Sequence, residues 1–153
     1  MIFEEELKKL GDKTIRVYLD MDGTIVHFDI DGAHDYDIKR PLMNRINMIK
    51  SINERYPNVT FYTLTICHEP KQIKEKNIWL DKYLPEIEKD NRIIIVRDVR
   101  GPLSSGDVKR NYLNNLKTDD ILILVDDDRR ILETINKNNV NKVILYKDSI
   151  LSD

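Results

Sequence analysis

The chain has 153 residues, a length that suits one domain with a single buried core. Hydrophobic residues make up 41% and charged residues 34%, the balance of a globular protein rather than of a disordered or membrane-embedded one. The formal net charge of -2 supplies no broad basic field, which disfavours non-specific nucleic-acid binding but leaves a short nucleic-acid end open as a substrate. A single cysteine, Cys67, excludes an internal disulfide and fits a reducing cytosol. The segment Met1-Ile2-Phe3-Glu4-Glu5-Glu6 is acidic and lacks the apolar core of a signal peptide, and no apolar run approaches the length of a bilayer span. The expectation is a cytoplasmic protein with no membrane partner.

Apolar runs of strand length alternate with helical patterns. Ile15 to Leu19 is the first run, followed by a long aspartate-rich stretch, Met21 to Arg40, that contains Gly23 and Gly32. Leu42, Ile46, Ile49 and Ile52 recur at helical spacing after Pro41, which is expected to start that helix. Val59 to Leu64 is the second run; Ile73, Leu80 and Leu84 mark a second helix, stopped by Pro85. Ile93 to Val96 is the third run, and it leads into a loop, Asp98 to Gly106, holding Gly101, Pro102, Ser104 and Ser105. Val108, Tyr112 and Leu116 predict a third helix, Ile121 to Val125 a fourth strand, Ile131, Leu132 and Ile135 a fourth helix, and Val143 to Tyr146 a fifth strand. Such alternation implies an α/β fold: a Rossmann-like, doubly wound, parallel five-stranded sheet with helices on both faces, in a single domain over 1–153. Ligands then bind beyond the carboxyl ends of the strands, so the segments that follow strands hold the candidate chemistry.

Two of those segments are acidic. The first strand runs into Asp20-Met21-Asp22-Gly23-Thr24, where two carboxylates two residues apart are costly to hold together unless a cation joins them. Gly23 permits a turn that a side chain would hinder. The bland alternative is a polar loop with a turn glycine. The fourth strand runs into Asp126-Asp127-Asp128, a cluster that also repels itself without a cation, although Asp128 is suited to cap the next helix.

The string Asp20 to Thr24 resembles the first motif, D-x-D-G-T, of the haloacid dehalogenase (HAD) phosphatase superfamily, and the resemblance extends from about Ile15 to Tyr146. It calls for a hydroxyl after the second strand, met by Thr65 with Thr63 as fallback, and for a later lysine, met by Lys109 with Arg110 as competitor. Taken locally, Thr65 is an ordinary strand-end threonine and Lys109 one of 25 basic residues on a solvated face. The resemblance implies a magnesium-dependent phosphomonoesterase. Asp20 would be the nucleophile that forms an aspartyl-phosphate, Asp22 the acid and base, and Thr65 and Lys109 the groups that bind the phosphoryl oxygens and offset charge. The ion would be held by Asp20, the backbone carbonyl of Asp22, and Asp126 or Asp127, the choice between the last two staying open.

Between Asp20 and Thr65 there is room for one helix, one strand and a flap around 21–40, which looks like a capless or nearly capless member. An open site suits a large substrate or closure by a second copy in a homo-oligomer. Trp79-Leu80-Asp81-Lys82-Tyr83-Leu84-Pro85, Lys109 followed by Tyr112-Leu113, and Leu124-Val125-Asp126-Asp127 resemble the 5'(3')-deoxyribonucleotidase family in a short form. That implies a small phosphomonoester, a nucleotide, as substrate. Ile66-Cys67-His68-Glu69 departs from its pattern, which bears on nucleotide specificity more than on phosphatase chemistry. Cys67 reads as a small buried residue, Trp79 as core, and His68 as a possible border of the pocket. His27, Phe28 and Asp29 fall in the flap, where substrate selection is expected; Arg97 and Arg100 are candidates for a second phosphate or for solvent. The alternatives on the same fold are a polynucleotide-end or sugar phosphatase. Outside enzymes, they are a degenerate phosphate-binding module or a receiver domain, whose acidic pair would follow the first strand and whose phosphorylated aspartate would follow the third.

Overall fold

A computed structural model describes residues 2–28 and 36–152, so residues 29–35 of the expected flap, Asp29 among them, lie outside the described residues. The elements run α1 (Ile2–Lys9), β1 (Ile15–Leu19), α2 (Met43–Arg55), β2 (Val59–Cys67), α3 (Lys71–Tyr83), β3 (Arg92–Val96), α4 (Ser105–Asn114), β4 (Ile121–Asp126), α5 (Arg129–Lys137) and β5 (Ile144–Lys147). The strands form one parallel sheet in the order β3-β2-β1-β4-β5. This is the expected doubly wound α/β sheet.

The central strands are apolar at almost every position because helices cover both of their faces. One core packs Val17, Leu19, Phe61, Ile123 and Val125 against Ile46, Ile49 and Ile52 of α2 and Trp79 and Leu80 of α3. On the other face, Tyr18, Leu64, Leu122 and Leu124 pack against Leu113 of α4 and Ile135 of α5. α4 and α5 meet at Gly106, where a Cβ would come within 2.9 Å of the Thr134 side chain.

The chain leaves β1 toward β2 on one side and returns past it to β4 on the other. The order therefore reverses between β1 and β4, and in open sheets of this kind the carboxyl ends of the strands at such a reversal are where a ligand crevice forms. Leu19 is in register with Val125, and Asp20 N donates to Val125 O at 3.0 Å. Asp20, just past β1, thus stands beside Asp126 at the end of β4.

Several boundaries differ from the sequence expectation. β2 continues through Cys67, so Thr65 lies inside the strand instead of following it; the polar threonines at 63 and 65 are carried by β-pairing to β3. Pro41 does not open α2: Leu42 is the N-cap, and Pro41 pairs with Val26 as an isolated antiparallel bridge. Leu116 falls beyond the end of α4, although it still packs on the second core. α1 was not expected, since three consecutive glutamates obscure the spacing of Phe3 and Leu7, which are buried; Phe3 meets Tyr146 edge to face at 6.0 Å. No helix among the described residues is long and apolar enough to cross a membrane.

α4 begins with a capping box: the Ser104 hydroxyl accepts from Asp107 N at 3.1 Å and the Asp107 carboxylate accepts from Ser104 N at 2.9 Å. Two of the helix's first donors are satisfied this way. Ser104→Ala is expected to lower the unfolding free energy by about 1 kcal/mol, read from urea denaturation followed by circular dichroism.

Candidate active site

The turn after β1 is built on one carbonyl. Met21 O accepts from Thr24 N, Ile25 N and Val26 N, each at 3.0 Å, and Gly23 N donates to Val26 O at 2.8 Å. Gly23 takes φ +82, where side chains are strained, and a Cβ there would overlap the Asp127 carboxylate. The glycine therefore lets the β1 loop and the end of β4 close on each other. Inside the turn, the Thr24 hydroxyl donates to Asp20 Oδ2 at 3.3 Å.

Lys109 reaches into the crevice from α4 and is fully buried. Its ammonium donates to Asp20 Oδ1 at 2.9 Å and to Asp126 Oδ2 at 2.7 Å, tying the ends of β1 and β4 together. Burial alone would pull this lysine down, but the carboxylates of Asp20 and Asp126 more than offset it and hold the ammonium above its ordinary range. Asp126 also accepts from Asp128 N at 2.9 Å through its other oxygen. Burial and the nearby Asp20 charge still push Asp126 up to about 6, against the opposing pull of Lys109. Asp127 is pushed up to about 8, first by burial and then by a hydrogen bond to Asp20 and the charges around it.

Asp20, Asp126 and Asp127 each offer a carboxylate oxygen within 4.8 Å of the others. This all-oxygen donor set suits a hard divalent cation. Burial first, and then repulsion among neighbouring carboxylates, raise Asp126 and Asp127, and a cation held by the trio would oppose both effects. Asp128 stands apart as the N-cap of α5, accepting from Arg130 N at 2.9 Å.

Asp22 is not part of that trio. Its side chain turns to two lysines, with Lys39 Nζ 3.3 Å from Oδ1 and Lys76 Nζ 3.5 Å from Oδ2. Lys76, on α3, is as buried as Lys109 and also donates to Thr65 Oγ1 at 2.5 Å and Ile66 O at 3.0 Å. Thr65 is thereby joined to Asp22 through an ammonium. Thr63 is not joined to it; its hydroxyl donates to Ile93 O at 3.4 Å on the neighbouring strand. Burial lowers Lys76 below its ordinary range, with Asp22 and Asp20 resisting.

The remaining candidates lie outside this cluster. Cys67 is buried, and burial pushes its thiol up. His68 is exposed, its backbone N–H donating to Gln72 Oε1 at 2.9 Å. Arg110 pairs with Asp107 on its own helix at 3.2 Å, and Arg97 donates to Leu103 O at 2.9 Å within the β3–α4 loop. Arg100, His27 and Phe28 are exposed. Trp79 is fully buried, and its indole N–H donates to Lys39 O at 2.9 Å.

The sequence reading missed Lys39, Lys76 and Tyr36, which gather around Asp22. Lys76 carried a signal: it sits three residues after Ile73 and four before Leu80, on the apolar stripe of α3, where a charge needs a buried partner. Tyr36 and Lys39 carried none, because only the fold brings them to α3.

Gly23→Ala is expected to destabilise the protein by more than about 1 kcal/mol, since alanine strains at this φ and its Cβ would displace Asp127. Thermal unfolding would show the loss, and an unchanged Tm would mean the turn relaxes without cost.

No family model matches the sequence, and no curated protein does. Several solved structures share the fold. A chain of a Pnkp1/Rnl/Hen1 complex superposes with a TM-score of 0.65 at 16% identity over 88% of this chain, which spans only 45% of that one, and a chain of a Pnkp1/Rnl/Hen1 RNA repair complex gives 0.63 at 15% identity, covering 90% and 43%. The HAD domain of the effector protein Lem4 from Legionella pneumophila gives 0.55 at 20% identity, covering 88% of this chain and 85% of that one. A class C acid phosphatase from Bacillus anthracis with tungstate bound gives 0.56 at 16% identity, covering 97% and 73%. The chain therefore has the HAD-like fold.

Proposed function

We propose that this chain is a magnesium-dependent phosphomonoester hydrolase that works through a phosphorylated Asp20. The observation that carries the reading is the carboxylate trio of Asp20, Asp126 and Asp127 at the switch point, with the buried Lys109 ammonium bridging two of its members. Asp20, Asp126 and Asp127, with the backbone carbonyl of Asp22, would hold the ion. When bound, magnesium supplies charge neutralisation at the phosphoryl oxygens and orients them.

The chain's own residues account for the steps. An Asp20 carboxylate oxygen attacks phosphorus, and the bond from phosphorus to the ester oxygen breaks. Asp22 gives its proton to that leaving oxygen. Water then attacks the aspartyl-phosphate, Asp22 takes the proton back, and the bond from phosphorus to Asp20 breaks to release phosphate. Lys109 holds Asp20 aligned and offsets negative charge beside it, while Thr65 is the hydroxyl for a phosphoryl oxygen. A single domain over 1–153, with a flap around 21–40 as its minimal cap, belongs to the same reading. Closure by a second copy and a cytoplasmic location are part of the same proposal.

For the substrate, the resemblance of the Trp79–Pro85 segment and the motifs around Lys109 and Asp126 favours a nucleotide, as in a deoxyribonucleotidase-like enzyme. A polynucleotide end is the second reading. It is favoured by the likeness to a chain of an RNA repair complex, whose TM-score of 0.63 exceeds those of the HAD domain of Lem4 and of the acid phosphatase.

The test is phosphate release by purified protein against nucleoside monophosphates, sugar phosphates and phosphorylated oligonucleotides. Turnover is expected only with magnesium. Asp20→Asn is expected to remove at least about a thousandfold of kcat, and Lys109→Met about a hundredfold. Release that survives chelation or Asp20→Asn would sink the mechanism.

A further inference from the structure

Asp22 is contacted by more positive charge than one carboxylate requires. Lys76 alone is already saturated: its ammonium has three hydrogens, and Thr65 Oγ1, Ile66 O and Asp22 Oδ2 take them at 2.5, 3.0 and 3.5 Å. Lys39 is different. Its ammonium has one acceptor among the described residues, Asp22 Oδ1 at 3.3 Å, and its side chain keeps 15% exposure. Two of its donors are unused by side chains or carbonyls there.

Beside it is a second unused donor. The Tyr36 hydroxyl is buried and has no hydrogen-bond partner among the described residues. It lies next to the Asp22 carboxylate without a well-formed hydrogen bond to it; burial first, then the Asp22 and Asp20 charges, raise the phenol well above its ordinary range. Lys39 Nζ is 4.6 Å and Lys76 Nζ 5.1 Å from the centre of the Tyr36 ring. A buried hydroxyl that finds no partner among the described residues is costly, and it stands beside a cation with only one acceptor among them.

The group is also held in place. Tyr36 N donates to Glu75 Oε2 at 3.2 Å, Trp79 Nε1 donates to Lys39 O at 2.9 Å, and the Tyr36 and Trp79 rings meet edge to face at 6.5 Å. α3 therefore fixes Tyr36 and Lys39 before any ligand arrives, which is what a recognition site requires.

We infer that Lys39 and the Tyr36 hydroxyl form a subsite for a second anionic phosphate on the leaving group of the substrate, with Lys76 as the residue that positions Asp22 and Thr65. The inference rests on the phosphatase reading for its location: Asp22 serves the leaving oxygen, so whatever lies beyond that oxygen passes Lys39 and Tyr36. It deepens that reading by selecting phosphomonoesters with a further phosphate over simple monophosphates. That phosphate has two sources, the phosphodiester next to a terminal phosphate in a nucleic-acid strand, or the second phosphate of a bisphosphorylated small molecule. Lys109 cannot serve here, because both of its partners belong to the reacting centre.

The test compares three kinds of probe, the first and third in both 5'- and 3'-phosphorylated forms. They are a thymidine monophosphate, thymidine 3',5'-bisphosphate, and a dinucleotide with a terminal phosphate whose internal linkage is either an ordinary phosphodiester or a neutral methylphosphonate. Binding to Asp20→Asn protein with magnesium is measured alongside kcat/KM of the wild type, so the subsite is read even without turnover. The second charge is expected to improve affinity and kcat/KM by about tenfold or more, as for a charge-assisted hydrogen bond. Lys39→Met is expected to bring that preference close to unity, and Tyr36→Phe, which keeps the ring against Trp79, to reduce it in part. Preference for the dinucleotide over the bisphosphate would identify a strand end as the source, and the reverse a small molecule. Equal binding of charged and neutral linkages, or a preference that survives Lys39→Met, would overturn the subsite. Charge-dependent binding without turnover of any probe would instead overturn the phosphatase reading and leave the subsite standing.

Discussion

The structure depends on one ammonium group placed between two strand ends. Parallel pairing of β1 with β4 sets Asp20 and Asp126 side by side, and the turn at Gly23 brings Asp127 against them. Three carboxylates in a partly buried crevice would repel strongly, and burial would drive protons onto them. Lys109 counters this by bonding to Asp20 and Asp126 at once, and its position follows from where α4 starts. The capping box at Ser104 fixes that start, so a loop residue far from the crevice sets the reach of the lysine.

One charge does not balance three. Burial, and after it the repulsion among the carboxylates, keep Asp126 and Asp127 pushed upward. A divalent cation is the natural complement to that deficit, and the oxygen-only donors favour a hard one. The same physics explains why the cluster sits at the switch point. Only there do two loops leave adjacent strands in opposite directions, opening room for a ligand without breaking the sheet.

Most of this was legible in the sequence wherever the information was local. Apolar runs of strand length gave the five strands, and the aspartates directly after the first and fourth runs marked the segments that meet. Boundaries were lost where pairing overruled composition: Thr63 and Thr65 look like a strand's end, yet hydrogen bonding to β3 extends β2 to Cys67. α1 was lost because a run of glutamates masks its two buried residues. The groups around Asp22 were lost for another reason. Tyr36 and Lys39 lie in the flap segment, and tertiary contacts with Glu75, Lys76 and Trp79 attach them to α3. Lys76 alone left a trace, as a charge on an apolar stripe.

Lys76 and Lys109 show how one residue type takes opposite character from its neighbours. Both are fully buried on helices flanking the same crevice, and both lose the same hydration. Lys109 has two carboxylates within 3 Å, and its ammonium is held above the ordinary range. Lys76 has one at 3.5 Å, a hydroxyl and a carbonyl, and burial prevails. The difference lies in the acceptors. Neutral oxygens satisfy the directions of an ammonium but return less of its lost solvation than charged ones do. Lys76 therefore fixes Thr65 and Asp22 in space while contributing a weaker charge, and the charge available on that side of the crevice falls to Lys39, whose side chain still touches solvent. Between them, a fixed lysine and a freer one divide position and charge, where Lys109 supplies both to the other side.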